Sequence, residues 1–144
     1  AAAAAPGTTA SAGGASGDLD RELLLGDLPG YGFAQVSKAE RAKWHGLVEG
    51  YLDGRAPLRV AVLLMDLRRD PRDDEHDLLA WLVQRRVPVV VALTKSDKLA
   101  PMQRARRVRE LARAIDVPAG QVVTTSSQTG LGIDALWSAL LAAL

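Results

Sequence analysis

The chain has 144 residues, one domain's length, with hydrophobic residues at 48% and charged residues at 24%, which excludes a disordered polymer. Its 18 Lys and Arg stand against 17 Asp and Glu, and the net charge of +1 excludes global attraction to nucleic acid or a membrane surface; any such contact is local. With no cysteine there is no disulfide framework or thiolate metal site, and no apolar run approaches the ~20 residues that span a bilayer.

Residues 1–20, rich in Ala, Gly, Ser and Thr without a period, read as a flexible segment. Residues 1–5 lack the charged start and long apolar stretch of a signal peptide and the arginines of a transit peptide. Leu23, Leu24 and Leu25 form a short strand that Pro29, Gly30 and Gly32 stop, giving the loop DLPGYG. Ser37 and Glu40 are spaced as a capping box, and Trp44, Leu47, Val48, Tyr51 and Leu52 then recur at helical spacing.

Residues 60–65 are continuously apolar, as expected of a strand covered on both faces, and end at Asp66. Asp73 and Asp74 open a helix carrying Leu78, Leu79, Leu82 and Val83, and VVVAL at 89–93 is a second buried strand. After the loop TKSDKLAP, Val108, Leu111, Ala112 and Ile115 mark a helix, residues 121–125 a third strand, and Ile133, Leu136, Trp137, Leu140 and Leu141 a last helix. Strands alternating with helices predict an α/β fold, a mostly parallel sheet with helices on both faces. Ligands bind such sheets beyond the carboxyl ends of the strands, where DLPG, TKSD and TSS fall. His45 and His76 are far apart in polar helical surroundings and read as surface residues. Trp44, Trp81 and Trp137 read as packed against apolar neighbours rather than as platforms for bases.

The order of the motifs is more informative than any one of them: DLPG after one strand, TKSD after a later one, SSQTG after the last. Through DLPGYGFAQVSKAE, MDLR, LTKSDKL and SSQTGLGIDAL the sequence resembles the EngB-type GTPases, a translation-factor-related branch of the Ras-like P-loop GTPases. The resemblance is close over about residues 23–144 and looser over PGTT at 6–9, where family members carry a Thr-Pro-Gly segment in the first switch. It implies a flexible segment with a switch-like remnant over 1–20 and the C-terminal two-thirds of a GTP-binding domain over 21–144.

That resemblance assigns roles. Asp27 would hold Mg²⁺, through water, and the Gly30 N–H would approach the terminal phosphate of GTP; the alternative is an ordinary turn in which Asp27 accepts from nearby amides. Asp97 would accept from the N1–H and exocyclic amine of guanine, a donor pair adenine lacks, with the Lys95 stem along the ring face and Thr94 where many GTPases place Asn; the alternative is a capped polar loop. Ser126 and Ser127 would begin the loop that offers a backbone N–H to guanine O6, or else they cap a loop before the last helix. Thr9, with Thr8 as its competitor, matches the switch threonine that coordinates Mg²⁺.

Two features depart from a working GTPase. Tyr31 stands where many GTPases place the glutamine that orients water, so intrinsic hydrolysis is expected to be slow. No G-x-x-x-x-G-K-[S/T] occurs in the 144 residues, so the sequence reads as incomplete or as a degenerate relative. The resemblance implies a GTP/GDP switch that assists ribosome assembly, with ribosomal RNA or a large-subunit assembly intermediate as partner. It implies no membrane association and a cytoplasmic location, or the matrix of a mitochondrion or plastid. The competing expectation is a scaffold that keeps the fold without nucleotide turnover. Arg104, Arg106, Arg107, Arg109 and Arg113 form either a local RNA-binding patch or a solvated face partly paired with acids.

Overall fold

The computed structural model describes Thr8 and Thr9, residues 24–26, Gly46, Gly50 and residues 58–144. Two compact units divide the chain, Ala1–Val48 and Glu49–Leu144. In the first, β1 (Thr8–Thr9) pairs antiparallel with β2 (Leu24–Leu25), setting Thr9 opposite Leu24 and Thr8 opposite Leu25. Asp27, Gly30 and Tyr31 lie outside the described residues, and so does the helix expected after Ser37 except for Gly46 and Gly50, both helical.

The second unit runs β3 (Ala61–Asp66), α1 (Asp73–Gln84), β4 (Val89–Thr94), a 3₁₀ turn (Ser96–Lys98), α2 (Pro101–Ala114), β5 (Val122–Thr124) and α3 (Ile133–Ala143). The sheet order is β3-β4-β5, with both pairings parallel. β4 lies in the middle and is buried from Val89 to Leu93, which explains its unbroken apolar sequence.

One face of the sheet, Leu63, Met65, Val89, Val91 and Leu93, packs against Leu79 and Leu82 of α1 and Leu111 of α2. Each such side chain contributes about 1.5–3 kcal/mol on burial, so this face carries most of the unit's cohesion. On the other face Val90 and Val123 meet Leu140, flanked by Leu136 and Ala139. Helices thus cover both faces, as the alternating pattern predicts.

Coverage is uneven, and two expectations fail in detail. β3 is not covered on both faces: Val62 and Leu64, on the α3 side, are 37% and 66% exposed. α3 packs chiefly over β4 and β5, with Val60 just before β3 at the margin of that cluster. For the same reason the apolar stripe of α3 buries Leu140 and leaves Trp137 at 37% and Leu141 at 63% exposed. Trp137 is therefore a half-covered surface residue, whereas Trp81 packs on the core with the Arg85 guanidinium 4.6 Å above its ring.

Local chemistry sets the helix ends. α1 opens with Asp73, Asp74 and Glu75 at its positive pole, and the Glu75 carboxylate accepts the N–H of Arg72. Both α1 and α2 close through a left-handed residue, Arg86 at φ 56° and Asp116 at φ 52°. The following amides return to the helix, Val87 N–H to Leu82 O at 3.0 Å and Val117 N–H to Ala112 O at 3.3 Å. From α2, Arg107 reaches back to the loop after β3, donating from Nε to Leu67 O at 3.1 Å and pairing with Asp70 at 2.6 Å. No helix among the described residues is long and apolar enough to cross a membrane.

Gly132, at φ +74°, starts α3 against the end of β5, where an added Cβ would stand 1.9 Å from Thr124 O. Neither backbone can yield without breaking the strand-to-helix contact. Gly132→Ala is therefore expected to destabilise the protein by about 2 kcal/mol, read as a lower urea midpoint with an unchanged m value; an unchanged midpoint would contradict this packing.

Candidate functional site

Parallel strands deliver their carboxyl ends to one edge, and three loops meet there. The first begins at Asp66, the second is Thr94-Lys95-Ser96-Asp97, and the third follows β5 as Thr125-Ser126-Ser127. Backbone bonds tie them together. Thr125 N–H donates to Leu93 O at 2.8 Å, Ser96 N–H to Thr125 O at 3.2 Å, and Leu67 N–H to Thr94 O at 3.1 Å.

Asp97 is the best-prepared group. Ser126 Oγ donates to its Oδ1 at 2.7 Å, and Lys98 Nζ lies 3.2 Å from its Oδ2. The Ser126 hydroxyl foremost, and Lys98 after it, hold the Asp97 carboxyl below its ordinary pKa. A carboxylate offers about four lone-pair sites. A carboxylate held by Ser126 and Lys98 keeps two oxygens side by side, the arrangement that gripping two adjacent N–H groups requires.

Lys95 sits in the left-handed region at φ 59° and ψ 33°, a backbone cost that its neighbours enforce. Its side chain is 55% exposed, and Nζ lies 3.1 Å from Asp66 Oδ2. The Asp66 carboxylate also takes Arg68 NH2 at 2.7 Å, Nε at 2.9 Å and the Arg68 backbone N–H at 3.0 Å. These donors, Arg68 first, hold Asp66 well below the usual carboxylate range against the opposing effect of burial.

The sequence-derived candidates thus divide. Thr94, Lys95, Asp97, Ser126 and Ser127 are brought to one edge. Thr94 spends its hydroxyl on Met65 O at 3.1 Å, so it ties β4 to β3. Ser126 is fully buried; its N–H is used on Leu131 O at 2.9 Å, and its hydroxyl braces Asp97 and accepts from Thr129 N–H at 3.3 Å. Any amide offered to a ligand from this loop must then come from beyond Ser126, and Ser127 is the next residue and exposed. Thr9 lies in the first unit opposite Leu24, and Asp27 and Gly30 lie outside the described residues. Sequence reasoning missed Asp66 and Arg68, although Asp66 ends a strand at the same edge as TKSD.

Among the arginines of α2, Arg106 pairs with Glu110 at 2.7 Å, Arg107 with Asp70 and Glu110, and Arg104 donates to Leu99 O at 3.2 Å. Arg109 and Arg113 are exposed. No group of three or more His, Asp or Glu among the described residues could hold a metal ion.

A parallel sheet with helices on both faces and chemically equipped loops at the strand ends defines the class, a domain with the fold of P-loop GTPases. A crystal structure of a probable GTP-binding protein engB matches it with a TM-score of 0.65, over 86% of this chain and 78% of that one, at 21% identity, a likeness of fold. No protein-family model matches the chain. Probable GTP-binding proteins EngB are similar to it in sequence: that of Gemmatimonas aurantiaca is 44% identical over 86% of the chain, and that of Desulforapulum autotrophicum 41% identical over 85%. In sequence the chain is thus similar to EngB GTP-binding proteins over most of its own length. It spans 61% and 63% of the length of those two relatives.

Asp66 and Asp97 both have depressed pKa values, so each contributes stability that is present above the ordinary carboxyl pKa of about 3.9 and is lost as pH falls through and below it. The Asp66 side chain is only 11% exposed and bears most of this effect. Thermal unfolding followed from pH 6 to pH 2 is expected to show Tm falling less steeply for Asp66→Asn than for the unsubstituted chain; parallel profiles would remove Asp66 from the acid response.

Proposed function

We propose that this chain supplies the base-binding side of a GTP-operated switch that assists ribosome assembly, of the large subunit. The observation that carries this reading is Asp97, a carboxylate at the strand-end edge that the Ser126 hydroxyl braces at Oδ1 and Lys98 faces at Oδ2. Guanine presents N1–H and an exocyclic amine to such a group, and adenine does not. The Lys95 stem lies along the ring, Ser127 offers its amide to O6, and Thr94 and Ser126 act behind these groups by fixing the loops that carry them.

The phosphate side rests on the resemblance and on the names of the relatives. Asp27 and Thr9 supply a carboxylate and a hydroxyl, the hard oxygen donors Mg²⁺ takes, and Gly30 offers its amide to the terminal phosphate. Mg²⁺ there would neutralise phosphate charge during hydrolysis. The pairing of Thr9 with Leu24 sets the Thr9 backbone beside the strand that leads toward Asp27, which supports that assignment. Turnover needs a phosphate-binding loop of the G-x-x-x-x-G-K-[S/T] kind, which the 144 residues do not contain, so hydrolysis is proposed for a protein that carries it. Ribosomal RNA is the proposed partner, with the exposed Arg109 and Arg113 as phosphate contacts, and the proposed location is the cytoplasm.

Without that loop the affinity expected of the base site is about millimolar, measurable by amide shifts in a titration of the 144-residue chain. GMP is expected to move the amides of residues 94–98 and 125–127, and AMP to move them at least about tenfold more weakly. Asp97→Asn is expected to abolish that difference, because an amide replaces one of the two acceptors with a donor. Equal responses to GMP and AMP in the unsubstituted chain would sink the guanine assignment.

A further inference from the structure

We propose that Asp66 is a positioning residue for guanine binding, holding the Lys95 ammonium so that the Lys95 stem is laid out in advance for the base; this rests on the base-site reading given above.

The geometry that points there begins in the backbone. Asp66 is the last residue of β3 and stands in register with Thr94, the residue before Lys95. Two bonds lock that register where the strands end, Thr94 Oγ1 to Met65 O at 3.1 Å and Leu67 N–H to Thr94 O at 3.1 Å. The two Cα atoms that matter therefore cannot slide past one another. Arg107, clamping Leu67 O from α2, fixes the same turn from the other side.

On that frame the side chains are unequal. Asp66 is 11% exposed, while its partners Lys95 and Arg68 are 55% and 44% exposed. The carboxylate is the fixed point, and the two cations extend from it into solvent. A lysine with four rotatable bonds loses rotamer entropy when it is ordered. Lys95 has the further burden of a left-handed backbone, which throws its side chain out of the usual strand direction. A carboxylate 3.1 Å from Nζ restricts that freedom before a ligand arrives, and preorganisation of this kind raises affinity without adding a contact to the ligand. Arg68 occupies three of the acceptor directions of Asp66 and keeps the carboxylate aimed at Lys95.

The test is a double-mutant cycle on the 144-residue chain, read by GMP titration with AMP as control. Lys95→Met removes the ammonium and is expected to weaken GMP binding. Asp66→Asn is expected to weaken it about fivefold, the scale of an exposed ion pair, and to have no further effect when Lys95 is already Met. A residue that merely stabilised the fold would cost the same in both backgrounds. If Asp66→Asn unfolds, Asp66→Glu keeps the charge but displaces the ammonium, and the same loss confined to the Lys95 background is expected. Equal losses with and without Lys95, or no loss at all, would overturn the role of Asp66 alone. An unchanged GMP response in Lys95→Met would instead strike at the base-site reading itself.

Discussion

The central position of β4 governs the rest of the structure. A strand with parallel neighbours on both sides has no exposed edge and no exposed face, so its sequence is almost wholly apolar until the last residue, Thr94. Because both pairings are parallel, all three strands release their loops at the same edge. Asp66, TKSD and Thr125–Ser126 meet for that reason alone. Their sequence separations, roughly 30 residues from one to the next, are the lengths of the helical crossovers between parallel strands.

Much of this was legible in the sequence, because burial leaves a period. Continuous apolar runs located β3 and β4, and the spacing of Leu79, Leu82, Leu111 and Leu140 located the helices that cover them. What hydrophobicity could not show was extent. Val62 and Leu64 are as apolar as Val91, yet only lateral placement of α3 decides which of them meets water, and placement is not written in local periodicity. Trp137, read as packed, is left half-covered for the same reason.

The site was legible by motif and opaque by mechanism. TKSD and TSS mark positions, but a motif does not say which atoms are already committed. The Ser126 hydroxyl is bound to Asp97 and its amide to Leu131, while the Thr94 hydroxyl is bound to Met65, so these residues shape the site from behind. Asp66 gave a signal of the kind read at Asp27, a carboxylate closing a strand. Only the parallel register, which sets Asp66 beside Thr94, turns that signal into a contact with Lys95.

The bare side of β3 has a consequence for the molecule in bulk. Among the described residues this strand pairs with β4 alone, and it presents Val62 and Leu64 to water. A strand edge that meets no described partner, beside two large aliphatic side chains on an open face, is the kind of surface to which a further strand can add. With a net charge of only +1 there is little long-range repulsion between copies to oppose that encounter. Val62 and Leu64 are the side chains of this strand through which such an encounter would be made.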